Sequence, residues 1–443
     1  VRARPVPVLL AGAGCLAWLT LTSGYGAAAA SGQVDLGGAD LPDRTSTDRG
    51  RPTAIAPGLW RASPLEPDLP QYFSYDRRMS GSRVHIGVAG LPPGASGDGL
   101  RISAGVATAD STDLTDCGTA DDSAESNVPQ AVLGERVVVG GESGSTGEAC
   151  RSAGTVRIEV SRAGSEPAAM PYVIKVVEEA PSAALPEDAE PDDEPSYAVP
   201  EPVAEPEAVA GGTSFDDAPE LDARDETRTV TAQVRQGTER LWRVPLTWGD
   251  LPVVRVDVPV AEGDQFDYGG PALTLHLIDP LRGRLRFTDS ASDDSATGDY
   301  RGAPEDEVGE PTRLVASGFP VSQVDERVPG DYWVSLAVAP PAEGDEPVDV
   351  PVTLTVSVER TSDGAPAYDS AVLSQDKSAG PEGYTPETPF LVGEDTFAEV
   401  ASGSPVGDGD GWFSVRRGAG LGLAAASAAC LVAGVVRLRS RRG

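Results

Sequence analysis

Apolar and polar residues alternate with a period of two in two separate stretches of this chain, the pattern of half-buried strands. In the first stretch Val84, Ile86 and Val88 face one way against Arg83 and His85, and Val156, Ile158 and Val160 repeat this against Arg157 and Glu159. Tyr172, Ile174 and Val176 close it. In the second stretch Val254, Val256 and Val258 oppose Arg255 and Asp257, and Leu273, Leu275 and Leu277 oppose Thr274 and His276. Tyr332, Val334, Leu336 and Val338 form another face, as do Val352, Leu354, Val356 and Val358. Neither stretch carries a helical stripe. Short strands divided by Gly, Pro and Asp clusters predict an all-β chain of two tandem antiparallel sandwiches, because a parallel sheet would need crossover helices.

The pattern divides the chain further. Residues 1–30 begin with Arg2 and Arg4, pass through an apolar run over 6–21 and reach four alanines at 27–30, the order of a signal peptide cleaved near Ala28–Ala30. Residues 31–51 are expected to be disordered, 52–178 to form the first sandwich and 213–360 the second. Between them 179–212 is acidic and carries Pro181, Pro186, Pro191, Pro195, Pro200 and Pro206, the composition of an extended, semi-stiff linker. A second low-complexity region, 361–415, reads as a stalk, with 389–392 as a short apolar patch in it. Residues 418–436 hold no charge and approach the ~20 apolar residues that cross hydrocarbon, so 416–436 is expected to be a transmembrane helix with its flank. Trp412 and Phe413 stand before it as interfacial anchors, and Arg437, Arg439, Arg441 and Arg442 follow, which outnumber Arg416 and Arg417 and keep the tail at 437–443 cytoplasmic. Small residues Gly418, Gly422, Ala426 and Ala429 would let another helix approach closely.

Charge narrows the partners. Eight of the 35 basic residues lie in or beside the two terminal segments, leaving 27 against 69 acids in the body, a net of −42. Such a surface repels nucleic acid and anionic lipid head groups. Lysine occurs only at Lys175 and Lys377. Of four cysteines, Cys15 lies in the signal region and Cys430 in the span, so Cys117 and Cys150 are expected to form one disulfide in an oxidising compartment.

The second stretch resembles the bacterial pre-peptidase C-terminal domain family. The matching residues are Phe215-Asp216-Asp217-Ala218-Pro219, then Leu241-Trp242-Arg243-Val244-Pro245-Leu246 before Trp248-Gly249. Leu273-Thr274-Leu275-His276-Leu277-Ile278-Asp279-Pro280 and Pro329-Gly330-Asp331-Tyr332-Trp333-Val334 follow. The first stretch echoes it with Gly58-Leu59-Trp60 and Tyr72-Phe73-Ser74-Tyr75. The resemblance implies small jelly-roll-like sandwiches on a secreted protein, of the kind that accompanies peptidases.

No peptidase is legible beside them. There is no HExxH, no Gly-x-Ser-x-Gly elbow leading into a helix and no Asp-x-Ser-x-Ser after an apolar strand. His85 and His276, the only histidines, read as surface residues on strands. Clustered carboxylates are the one chemical signal: Asp289 with Asp293, Asp294 and Asp299, Asp121 with Asp122, and Asp408 with Asp410 supply hard oxygens of the kind calcium takes, although exposed turns choose Asp for its hydrogen bonding alone. The expectation is a non-enzymatic surface interaction or scaffold protein, held in the membrane by its own helix and engaging a protein or envelope component. A subunit of a membrane secretion or protease complex is the alternative, and a hydrolase with an unrecognised site a third.

Overall fold

A computed structural model describes residues 33–402, apart from 94–96, 108–113, 127, 129, 141–146, 165, 183–196, 262–265, 267–269, 286–295, 303–308, 319, 323–325 and 361–364. The first half contains β1 (Ala39–Asp40), β2 (Thr53–Ala54), β3 (Gly58–Arg61), β4 (Gln71–Asp76) and β5 (Arg83–Gly90). After these come β6 (Gly99–Ala107), β7 (Leu114–Ser123), β8 (Leu133–Val139), the short helix α1 (Gly147–Ser152), β9 (Thr155–Ala163) and β10 (Tyr172–Glu179). The second half contains β11 (Glu207–Ala208), β12 (Arg228–Arg235), β13 (Glu239–Leu246), β14 (Asp250–Val258), β15 (Ala272–Ile278) and β16 (Ala296–Asp299). It ends with β17 (Thr312–Ser317), β18 (Gly330–Val338), β19 (Asp349–Arg360), β20 (Phe390–Gly393) and β21 (Thr396–Ala398).

These strands form four sheets, stacked as two sandwiches. In the first, the sheet ordered β2-β4-β9-β6-β7 packs on a sheet in which β10 pairs with β3, β5 and β20. The predicted faces meet there: Val84, Ile86 and Val88 with Val156, Ile158 and Val160, and with Tyr172, Ile174 and Val176. In the second, the sheet β13-β18-β15-β16 packs on β11-β12-β19-β14-β17. Val254, Val256, Val258, Leu273, Leu275, Leu277, Tyr332, Val334, Leu336, Val338, Val352, Leu354 and Val356 form its core, with Trp242 fully buried among them. The described residues are therefore nearly all β and built of sandwiches, with the apolar stripes the sequence marked as their cores.

The tandem separation is not what the fold adopts. The outer faces of β5 and β10 lie against the outer faces of β13, β15 and β18, and the two sandwiches share an apolar seam of Val34, Leu36, Ala89, Leu91, Val173, Phe215, Leu241, Ile278 and Trp333. Gly87 and Gly134 make this approach, because a Cβ at Gly87 would stand 1.9 Å from the Leu281 carbonyl oxygen and one at Gly134 2.2 Å from that of Arg282. Hydrogen bonds cross the seam from Val132 N to Glu239 at 3.0 Å, from Arg284 Nε to the Val132 carbonyl at 2.6 Å, and from Lys175 Nζ to the Pro280 carbonyl at 2.6 Å.

Three expected boundaries change accordingly. Residues 34–40, expected to be disordered, bury Val34 and Leu36 in the seam, and β1 pairs with β3. Of the expected linker, 183–196 lies outside the described residues, but Glu179 ends β10 and Glu207–Ala208 pairs with β12, while Trp242 Nε1 donates to the Val209 carbonyl at 3.2 Å. The expected stalk returns to the first sandwich: β20 extends the sheet at the end of β10, and Phe390, Leu391, Val372 and Ala398 are buried. The apolar patch at 389–392 is what draws it back, covering Val177 and Leu281. The expected signal segment and transmembrane helix, with Trp412, Phe413, Arg437, Arg439, Arg441 and Arg442, lie outside the described residues. Among the described residues no helix is long and apolar enough to cross a membrane.

Candidate binding groove on the first sandwich

Strand alternation gives the sheet β2-β4-β9-β6-β7 one face in the core and one facing out. Cross-strand register sorts the outward side chains into rows. Tyr72, Glu159, Ser103 and Thr119 form the middle row, with Thr119 Oγ1 donating to Ser103 Oγ at 3.2 Å. On one side of it stand Ser161, Arg101 and Asp121, and on the other Ser74, Arg157, Gly105 and Asp116. Opposite Ala104 and Gly105 the register of β7 skips Cys117, an extra residue that bends β7 at this point, as bulges do. Gly105 keeps the floor low, and a Cβ there would meet the Thr115 carbonyl oxygen at 2.8 Å.

One wall is the turn at 48–51, closed by Arg51 N donating to the Asp48 carbonyl and held to the sheet by Tyr72 N donating to the Ser46 carbonyl at 2.9 Å. From this turn Arg49 reaches Glu159 at 3.8 Å. The result is a groove of about 920 Å³ across the sheet. Burial and then the Glu159 charge raise the pKa of Tyr72 above its ordinary value, against the lowering effect of Arg49, so its hydroxyl stays protonated at neutral pH. Among the described residues Arg101 and Arg157 have no side-chain hydrogen bond or ion pair, whereas exposed arginines elsewhere, such as Arg61, Arg78 and Arg224, hold carboxylates within 4 Å. The arrangement offers two guanidinium donors, an aromatic ring and several hydroxyls on a rigid surface.

Apart from Asp121, which stands opposite Arg101 in the outward rows, the sequence-marked residues fall elsewhere. Cys117 on β7 and Cys150 on α1 are joined in a disulfide with Cα atoms 5.8 Å apart. Of the acidic loop, Asp289, Asp293 and Asp294 lie outside the described residues, as do Asp408 and Asp410. Asp299 ends β16 with its carboxylate 2.5 Å from Arg301. Asp122 is buried, accepting from Gly134 N at 2.8 Å and facing Arg284 at 3.3 Å, so that carboxylate is a bridge between sandwiches. Among the described residues no group of three or more His, Cys, Asp or Glu side chains is arranged to hold a metal.

Both histidines are buried rather than on the surface. His85 Nε2 lies 2.8 Å from Glu179, and His276 Nε2 lies 3.5 Å from Glu125 across the seam. Burial alone would raise the pKa of Glu179, but the hydrogen bond and charge of His85, with Arg83 and the Tyr368 hydroxyl, outweigh it and hold it below the ordinary range. Sequence reasoning singled out none of the groove as a site. Arg157 and Glu159 were visible only as the polar half of an alternation, and the signal that could have found them is positive charge on outward strand positions of a strongly acidic chain.

No protein-family model matches the chain, and no curated protein matches it. Among solved structures, a periplasmic g-type lysozyme inhibitor of Aeromonas hydrophila is 10% identical over 35% of this chain and 100% of its own, with a TM-score of 0.17. A tandem CBM22 pair from Xyn10C of Paenibacillus barcinonensis is 10% identical over 67% of this chain and 85% of its own, at 0.19. PNGF-II is 8% identical over 67% and 65%, at 0.20. Likenesses at these scores carry no argument about this chain.

Proposed function

We propose that this chain is an exported, single-pass membrane protein with no enzymatic role, which binds an envelope or surface component through the groove on its first sandwich. The observation that carries the reading is the pair of uncommitted guanidinium groups, Arg101 and Arg157, fixed on a sheet whose other face is core. A site on strands holds its groups more rigidly than one on loops. Residues 1–30 serve as the export signal and 416–436 as the anchor, with the body outside and the tail at 437–443 in the cytoplasm. The Cys117–Cys150 bond supports an oxidising location. The resemblance of 213–360 to the pre-peptidase C-terminal domain family belongs to the same reading, with the second sandwich bracing the first.

The test is to fill the groove. Ser103→Trp places a large ring in the middle row without touching the core. The full chain in detergent should be retained by isolated cell envelopes, and the variant should lose at least about tenfold in retention, a difference of about 1.4 kcal/mol, with an unchanged melting temperature. Equal retention overturns the groove as the binding surface. Export is tested separately by thiol alkylation on intact cells, where free Cys117 and Cys150 would overturn it.

A further inference from the structure

The groove's chemistry specifies its ligand more closely, given the binding reading above. Arg157 lies opposite Gly105 on β6 and Arg101 lies four residues further along that strand, so the two positions are roughly 13 Å apart along the strand direction. That is longer than one sugar ring, and no strand position of the row between them is a cation; Arg49 reaches the row only from the wall, where it pairs with Glu159 at 3.8 Å. The row presents Tyr72, Ser103, Thr119 and Glu159 instead: a ring face, two hydroxyls and a carboxylate acceptor. These groups match a polyhydroxylated chain, with hydroxyls that both donate and accept and C–H faces that stack on an aromatic ring.

Two further observations set the charge and backbone of the ligand. Glu159 and Asp116 share the groove with the arginines, so a densely anionic polymer would meet repulsion between its cationic contacts, whereas sparse carboxylates would meet only guanidinium. Guanidinium and carboxylate also suit each other as bidentate partners. The floor is made by β4, β9 and β6, each paired on both sides, so a peptide lying across them would find their backbone groups already hydrogen-bonded.

We propose that the groove binds a linear glycan bearing carboxylates on spaced sugars, which Arg101 and Arg157 engage while the intervening sugar lies on Tyr72 and hydrogen-bonds to Ser103, Thr119 and Glu159. Hyaluronan fragments, with a carboxylate on every second sugar, are the probe. Neutral dextran fragments, densely sulfated heparin fragments and poly-glutamate are the comparisons.

Titration calorimetry on the full chain in detergent should show hyaluronan binding that weakens as salt is raised. Arg101→Gln and Arg157→Gln should each weaken it by about tenfold, and Arg157→Lys by less than Arg157→Gln, with melting temperatures unchanged because both side chains point outward. The proposal is overturned if hyaluronan does not bind, if dextran binds equally, or if both Gln variants bind like the parent. Tighter poly-glutamate binding would mark an acidic peptide site, and tighter heparin binding a dense polyanion site, each also overturning it. Should Ser103→Trp abolish envelope retention while no hyaluronan binds, only this glycan assignment falls. Should Ser103→Trp leave retention intact, the groove reading itself falls.

Discussion

Lys175 donates to the Pro280 carbonyl from inside the seam, and its pKa is brought down to about 7, first by burial and then by the charge of Arg282, against the pull of Asp279 and Asp331. The unfolded lysine keeps its proton to about pH 10.5. Between those values the unfolded chain binds more protons than the folded one, so this group makes stability rise with pH from about 7 to 10.5, and its cost is greatest below pH 7. Lys175→Met should therefore stabilise the chain at pH 6 by on the order of 1–4 kcal/mol, with the gain shrinking by pH 9.5. Thermal melts of both proteins at the two pH values check this, and a larger loss at pH 6 than at 9.5 would contradict it. Arg282 shares the environment: its guanidinium lies 3.8 Å from the Phe215 ring centroid and 4.3 Å from that of Trp333, and burial lowers its pKa to about 9. Neither role was legible from sequence, where Lys175 is an alternating strand position and Arg282 follows Asp279-Pro280 in a turn. Glu178 shows the same limit. As the last residue of the expected first sandwich it borders an acidic linker, yet it is buried and accepts from Tyr75, Ser82 and the backbone N–H groups of Arg78 and Met79.

Strands whose inner faces were correctly anticipated differ in what covers their outer faces. β9 exposes Arg157 and Glu159 to the groove, whereas β5, β10, β15 and β18 are buried on both faces. Small residues mark the difference, since Gly87 and Ala89 on β5 leave room that a solvent face would not need. Gly87→Val should push β5 off the Leu281 carbonyl and cost about 3 kcal/mol or more, measured by chemical denaturation. A cost below half a kilocalorie, as for ordinary surface changes, would mean that the sheets do not meet there. The Cys117–Cys150 bond ties β7 to α1 across a sequence separation of 33. Reducing it should lower stability by roughly 3–4 kcal/mol in the chain-entropy model, read as a fall in denaturation midpoint under reductant. An unchanged midpoint would place that stabilisation elsewhere.

For the whole molecule, the sandwiches behave as one body because the residues 34–40, 197–212 and 365–402 are strapped across or along them. Trp248 stacks on Phe390 with centroids 6.4 Å apart, joining the second sandwich to the returning segment. The acidic bridges Arg136–Asp279 at 3.0 Å and Arg284–Asp122 at 3.3 Å add directional contacts that a flexible tether would not need. A protease site inserted within 183–196 and cut in the folded protein should leave the halves co-eluting on size exclusion and melting in one transition. Two separately eluting halves would show that the connection, and not the seam, holds them.

By itself the sequence determined the all-β class, the apolar faces of both cores and the cysteine pair, because a period of two and a single pair of cysteines in the body of the chain are signals that can be read without the fold. It is also the sole basis for the export and membrane readings at 1–30 and 416–436. Only the tertiary structure decided which polar strand faces meet solvent and which meet another sheet. Alternation encodes two faces per strand but not the partner of the second, and the pairing of β20 with β10, or of Gly87 with the Leu281 carbonyl, joins positions too far apart in the chain to leave a local pattern. For the same reason the groove became visible only when register set Arg101, Arg157 and Tyr72 on one surface.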